Sequence, residues 1–227
     1  MNTIYVGWDS REDIAYQVCE HSIYRRTYPQ FVTVKPLKQS DLRDRKLYWR
    51  EVDKLASTEF TFTRFLVPYL NNYQGWAVFC DCDMVWLVDA MQLFDLHDES
   101  RAVYVVKHDY NPPEGTKMDG QAQLQYPRKN WSSMILWNCG HPKNRQLDLD
   151  TVNSQSGAFL HRFQWLEDED IGELGCEWNW LVGHYSETVD GSPKVLHYTE
   201  GGPWIENMRN CEYDHVWKRE VINLYSS

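Results

Sequence analysis

The stretch Trp76-Ala77-Val78-Phe79-Cys80-Asp81-Cys82-Asp83-Met84-Val85-Trp86 limits most strongly what this chain can become. Residues 76–80 are mostly apolar and β-favouring and read as a buried strand, and two aspartates one residue apart arrive where that run ends. Ionised carboxylates are costly to take out of water unless they are paired or bind a metal, and hard divalent cations prefer oxygen ligands. Residues i and i+2 share a strand face, and at a strand end such a pair can converge on one cation. In open α/β sheets, ligands sit outside the carboxyl ends of the strands. The stretch therefore predicts a metal–diphosphate site, although turn carboxylates and helix caps produce the same short pattern.

The formal charge of −10 argues against a nucleic-acid surface and makes a divalent cation useful to a phosphate-bearing substrate. A chain of 227 residues that is 42% hydrophobic can bury a substantial core, and one domain over residues 1–227 is the simplest count. Eleven tryptophans suit core filling or clefts that stack flat rings and sugar faces. Cys19, Cys80, Cys82, Cys139, Cys176 and Cys211 form no paired C-x-x-C pattern and read as reduced thiols. The N-terminal residues show no signal pattern, and no apolar run approaches the roughly 18 residues of a transmembrane segment. The expectation is a soluble, cytoplasmic protein.

In order, Thr3 to Trp8 reads as a strand, Asp9-Ser10 as an N-cap, and residues 11–26 as a helix with Ile14, Val18, His21 and Ile23 on one face. Phe31 to Leu37 completes a β-α-β opening, which predicts a parallel sheet. Residues 38–54 read as a polar loop with short helical turns, and Ser57 to Leu70 as a helix carrying Arg64, which spacing alone makes a solvent-facing arginine. Asp89 is a cap for a short helix ending near Leu96, and Arg101 to Lys107 a strand. Residues 108–129 lack periodicity and read as a long functional loop. Trp131 to Asn138 is a returning strand, Thr151 to Trp165 a helix, and 167–170 a solvated acidic run. Lys194 to Tyr198 is a short strand and Tyr213 to Tyr225 a closing helix.

Four stretches carry a family likeness: Ile4-Tyr5-Val6-Gly7-Trp8-Asp9, Phe62-Thr63-Arg64-Phe65-Leu66-Val67-Pro68, Asp81-Cys82-Asp83, and His197-Tyr198-Thr199-Glu200-Gly201-Gly202-Pro203-Trp204. Glu177-Trp178-Asn179 is a fifth. In this order they resemble glycosyltransferase family 8 and its relatives among the GT-A-fold enzymes, such as glycogenin and the lipooligosaccharide galactosyltransferases. The resemblance implies an α/β fold: a single nucleotide-diphospho-sugar transferase domain with a mixed, mostly parallel sheet flanked by helices.

By this resemblance Asp81, Asp83 and His197 are the metal ligands, and an imidazole suits Mn2+ better than Mg2+. The implied activity moves a hexose from a UDP-sugar to an unidentified acceptor with retention of anomeric configuration. Trp8, Asp9, Ser10, Arg64, Cys82, Gly201 and Gly202 are implied on the donor, and Trp131, Ser132, Ser133, Gln155 and Ser156 on the sugar or acceptor. No side chain is named as catalytic base, because in the family's scheme a donor phosphate oxygen takes the acceptor's proton.

The chain departs from the family where its closing motif has a lysine before Pro-Trp: here Gly202 precedes Pro203 and the segment is one residue shorter. A glycine turn can hold an anion through backbone N–H groups. Around Asn130-Trp131-Ser132-Ser133 the family's usual residues are replaced, so sugar identity is not inherited. Two other readings remain: a haloacid dehalogenase-like phosphatase with Asp81 as nucleophile, and a catalytically silent nucleotide-sugar-binding protein. The aromatics Trp131 and Trp178 fit an acceptor cleft or a packed core. The closing helix is no membrane-docking segment, which favours a soluble glycan, small-molecule or protein acceptor.

Overall fold

The computed structural model describes residues 1–51, 56–108, 115–116, 122–123 and 131–226. Strand β1 (Asn2–Gly7) leads through helix α1 (Asp13–Tyr24) to β2 (Val32–Leu37), which pairs parallel with β1. The expected Asp9-Ser10 cap does not form. Fully buried Asp9 instead accepts hydrogen bonds from Arg11 N, Nε and Nη2 and from Glu59 N, so α1 starts only after Glu12. On α1, Val18 and Ile23 are buried with Ala15, Cys19 and Ser22, while His21 turns to Glu220. Residues 38–54 contain α2 (Gln39–Asp44), and residues 52–55 lie outside the described residues.

Ser57 to Leu70 is not one helix. The side chains of Thr58 and Thr61 bond each other, and Thr61 Oγ1 donates to Thr58 O, which holds a turn where a helix would need free backbone. A 3-10 turn over Thr63–Leu66 follows, and α3 (Val67–Leu70) carries Pro68 in its first turn, where its fixed φ is tolerated.

Strand β3 (Trp76–Cys80) pairs parallel with β1, and β4 (Met84–Trp86) belongs to a different sheet. The chain thus changes sheets at Asp81–Asp83. Asp89 Oδ1 accepts from Met91 N as α4 (Met91–Phe94) begins, and β5 (Val103–Val106) follows. Within the expected loop, β6 (Gly115–Thr116) pairs antiparallel with β7 (Ala122–Gln123), and 109–114, 117–121 and 124–130 lie outside the described residues.

A 3-10 turn over Trp131–Ser133 enters β8 (Met134–Asn138), antiparallel to both β3 and β5. The expected helix from Thr151 to Trp165 is two, α5 (Leu149–Ser154) and α6 (Gly157–His161). Asp148 caps the first by accepting from Thr151 N, Ser156 caps the second by accepting from Phe159 N, and extended Gln155 separates them. In the acidic run, Glu167 and Asp170 form a capping box and Asp170 also takes Lys143 Nζ at 2.5 Å.

Strand β9 (Ile171–Leu174) completes a six-stranded sheet of order β2-β1-β3-β8-β5-β9, parallel except at β8. A three-stranded sheet joins β10 (Trp180–Leu181), β11 (Val195–His197) and β4, with α7 (Glu187–Asp190) between β10 and β11. The closing helix is α8 (Asp214–Leu224), which packs on α1. Trp86, Trp137, Trp178 and Trp180 are fully buried, so Trp178 belongs to the core and not to an open acceptor cleft. Among the described residues no helix is long and apolar enough to cross a membrane.

Candidate metal and nucleotide site

The two sheets meet at the aspartates. Asp81 follows the last residue of β3, and its N–H donates to Ser133 O at 2.9 Å, which continues the β3–β8 ladder by one residue. On the other side, His197 lies opposite Met84 in the antiparallel β11–β4 pair, and Tyr198 N donates to Asp83 O at 3.0 Å. That register brings His197 to Asp83 although the residues are far apart in sequence. One ligand atom from each of Asp81, Asp83 and His197 can be chosen so that all lie within 4.8 Å of one another.

The donor set suits a divalent cation. Asp81 Oδ1 and Asp83 Oδ1 are buried and accept no aligned hydrogen bond, which is costly for a carboxylate unless something positive faces it. His197 Nε2 is 3.4 Å from Asp83 Oδ1, and its Nδ1 lies 2.8 Å from Asn179 Oδ1. Asn179 Nδ2 donates in turn to Ser133 Oγ at 2.8 Å. With the amide so oriented, His197 Nδ1–H is held by Asn179, and a bound cation would take the lone pair of Nε2, the usual support of a metal-bound imidazole. Two carboxylates and one imidazole are a mixed O/N set that Mn2+ accepts readily.

Arg64 is buried here, not solvent-facing. Its Nη1 lies 2.9 Å from Asp81 Oδ1 as an ion pair and donates to Ser132 O at 2.7 Å, and its guanidinium sits over the Phe79 ring at 4.8 Å. Burial pushes the Asp81 carboxyl up to about 6, against the pull of Arg64. Burial acts the same way on Asp83, but the adjacent His197 holds that carboxyl below the usual range. For His197 burial works downward and is outweighed by Asp83 and then Asp81, so its pKa is raised. The cluster is thus a set of acids and bases that stabilise one another's charges where a cation fits.

The residues expected on the donor spread around this cluster. Trp8 donates to Asp13 Oδ1 at 2.7 Å, with Lys38 Nζ 4.4 Å above its ring, and Ser10 is exposed and tied by its hydroxyl and N–H to Glu59. Cys82 is buried, its thiol turned to Glu12. Gly201 has φ +112, a conformation that side chains rarely adopt, and Gly202 lies against the Trp204 ring, where a Cβ would come within 2.0 Å.

Of the residues expected on the sugar or acceptor, Ser132 and Ser133 lie behind the cluster with their hydroxyls engaged by His161 and Asn179. Trp131 is partly exposed beside Lys107 Nζ. Gln155 O accepts from Arg50 Nη1 and Ser156 caps α6.

Asn179, from the fifth stretch of family likeness but given no role there, supports His197. Two further residues came from the fold alone. His108, just beyond β5, bonds the Tyr185 hydroxyl at 2.7 Å with its pKa pushed by burial down to about 3. Glu12 accepts from Trp204 Nε1 at 3.3 Å and faces Cys82 Sγ at 3.7 Å, and burial followed by Asp83 raises its carboxyl to about 7. An acid beside a helix start is an ordinary sequence signal, so nothing in the sequence marked it.

No family model matches the chain. It is 55% identical over 221 residues to Protein CDI of Arabidopsis thaliana, an alignment that covers 96% of this chain and 85% of that protein. Among solved structures, glycosyltransferase GlyE of Streptococcus pneumoniae superposes over 99% of this chain with a TM-score of 0.62 at 15% identity, and the chain spans 62% of the GlyE chain. The galactosyltransferase LgtC, solved with donor and acceptor sugar analogues, matches 98% of this chain and 96% of its own with a TM-score of 0.59 at 11% identity. Mouse xyloside xylosyltransferase 1 matches 88% of this chain and 98% of its own with a TM-score of 0.54 at 12% identity. Similarity at these identities concerns architecture: the expected mixed α/β fold of the GT-A glycosyltransferases is present.

Proposed function

This chain belongs to the family of Protein CDI from Arabidopsis thaliana, and from its glycosyltransferase fold and its Asp81–Asp83–His197 cluster we propose that it is a metal-dependent glycosyltransferase. It moves a hexose from a UDP-sugar to a soluble glycan, small-molecule or protein acceptor, working as a single GT-A domain over residues 1–227. The observation that carries this reading is the convergence of Asp81, Asp83 and His197 beyond the carboxyl end of β3, with one ligand atom from each within 4.8 Å of the others.

Mn2+, or Mg2+ in its place, would supply Lewis-acid stabilisation of the departing diphosphate. The chain's own residues hold and orient. Asp81 and Asp83 provide oxygen ligands, His197 a nitrogen ligand steered by Asn179, and Arg64 a fixed positive charge beside Asp81. Trp8 and Ser10, beyond the end of the neighbouring parallel strand β1, take the nucleoside end of the donor, in the crevice where open sheets bind such ligands, while fully buried Asp9, held by Arg11 and Glu59, fixes the connection that carries them. The Gly201–Gly202 turn stands where the family has its lysine, and because the Gly201 N–H already donates to Tyr198 O, the Gly202 N–H is the backbone donor left for an anion there. Transfer with retention breaks the bond from sugar C1 to the phosphate oxygen and forms one from C1 to the acceptor oxygen on the same face. The acceptor's proton passes to the departing phosphate, so no side-chain base is needed.

The phosphatase alternative has lost support, because Asp81 follows the third strand of a GT-A sheet and not the opening strand of its domain. Six free cysteines, four of them buried, support a reducing compartment such as the cytoplasm.

The test is a panel of UDP-hexoses incubated with the protein and Mn2+, with UDP release followed against Asp83→Asn and an aryl phosphate as counter-substrate. Slow UDP release from one donor, lost in the variant, is expected. Phosphate release from the aryl phosphate, lost in Asp81→Asn, would restore the phosphatase reading. No release from any substrate would favour the binding-only protein.

A further inference from the structure

Glu12 lies outside the ligand set, yet the fold delivers its carboxylate to it. The residue sits on the connection from β1 to α1, with one oxygen 3.7 Å from the thiol of Cys82, the residue between the two aspartates. Its other oxygen accepts from Trp204 Nε1 at 3.3 Å, and Trp204 in turn covers Gly202. Glu12 is therefore clamped between the carboxyl end of β3 and the glycine turn after β11. It is only half-buried.

The charge around Glu12 restricts what can lie against it. Asp83 is near enough to act on it electrostatically, and a phosphate oxygen beside two such carboxylates would be repelled unless the cation stood between them. The group that meets Glu12 must instead donate hydrogen bonds. In a nucleoside diphosphate, the ribose is attached to the diphosphate through one methylene and offers two vicinal hydroxyls. Two neighbouring hydroxyls match the two oxygens of one carboxylate, and bonds to an ionised acceptor are the stronger kind. The β1–α1 connection that carries Glu12 is the same connection that carries Trp8 and Ser10, proposed above for the nucleoside end.

We propose that Glu12 is the specificity-determining residue for the donor's ribose, accepting hydrogen bonds from its 2′- and 3′-hydroxyls, with Trp204 holding the carboxylate in place. The inference rests on the nucleotide-sugar reading above. It assigns Glu12 to the nucleoside and not to the metal or the transferred hexose.

The experiment is calorimetric titration of UDP, 2′-deoxy-UDP and 3′-deoxy-UDP, each with saturating Mn2+, into the wild type, Glu12→Ala and Glu12→Gln. Wild type should prefer UDP over each deoxy analogue by roughly tenfold, the size expected for a hydrogen bond to a charged group. Glu12→Ala should erase the preference, and Glu12→Gln, which keeps the side chain's shape and one acceptor oxygen, should show a reduced one. Because UDP carries no hexose, a Glu12 that faced the sugar would leave the preference intact and overturn the proposal. Equal binding of UDP and its analogues by the wild type overturns it too, as does a weaker affinity of Glu12→Gln for Mn2+ alone, which would make Glu12 a metal ligand. If UDP does not bind folded wild type at all, the donor reading itself falls, and this inference with it.

Discussion

His197 Nδ1 lies 2.8 Å from Asn179 Oδ1, and this bond fixes the imidazole that faces Asp83. Asn179 is itself fixed by donating to Ser133 Oγ, and Ser133 O accepts from the N–H of Asp81. The ligand from the small sheet and the ligand from the large sheet are thereby joined through one buried amide. Neither could shift alone without breaking a hydrogen bond between buried groups, where an unmade bond is costly.

Asn179→Ala should leave all three ligands in place but free the ring of His197. Outer-shell support of this kind is worth roughly 10- to 100-fold in metal affinity. Titration of Mn2+ by isothermal calorimetry should show a loss in that range, and unchanged affinity would mean that the amide serves packing alone.

Arg64 and Asp81 form a buried ion pair, with side-chain exposures of 7% and 15%. Removing one partner of such a pair typically costs about 3 kcal/mol or more. Arg64→Leu should therefore unfold at lower urea than wild type in metal-free buffer. Adding Mn2+ should recover part of the loss, because a cation at Asp81 replaces the missing charge. Equal destabilisation with and without Mn2+ would separate Arg64 from the metal site.

Asp9 is fully buried and its carboxyl lies below the usual range: burial pushes it upward, but the hydrogen bonds from Arg11 and Glu59 outweigh that. A folded-state pKa below the unfolded value stabilises the fold above the unfolded pKa of about 3.9, and that stability is lost as pH falls through the folded value. Wild type should thus lose stability more steeply below about pH 4 than Asp9→Asn, which cannot titrate. Parallel acid-unfolding curves would contradict this.

Gly202→Ala places a methyl group against the rigid Trp204 ring, and the ring must move. Overpacking of this kind costs about 1–3 kcal/mol. Trp204 also holds Glu12, so UDP affinity should fall while Mn2+ affinity without nucleotide stays near wild type. Loss of both together would show that the substitution disturbs β11 and not the turn alone.

The sequence announced the centre of this site better than its surroundings. The apolar run ending in Asp81-Cys82-Asp83 marked the strand end correctly, because two carboxylates that close a buried strand need a positive group beyond its end. His197 carried no such mark by spacing, which makes it a core or surface histidine; the family likeness of its stretch named it as a ligand, and the β11–β4 register is what brings it to Asp83. Arg64 was misplaced because periodicity suggested a helix with an outward arginine, whereas local threonine bonds and Pro68 break that helix and turn Arg64 inward. The split between α5 and α6 was legible in principle, since Asp148 and Ser156 are both good cap residues, but apolar spacing across Gln155 masked it. Asn179 stood in a stretch of family likeness without a role, and that role, like the whole of Glu12's, depends on contacts between distant segments, which no local pattern encodes.

The most direct measurement is calorimetric binding of UDP, with and without Mn2+, to wild type and to Asp83→Ala. The account predicts that UDP binds wild type only with the metal and that Asp83→Ala abolishes this binding while remaining folded. UDP binding that is indifferent to Mn2+, or that survives in Asp83→Ala, would contradict a metal–diphosphate site at Asp81, Asp83 and His197.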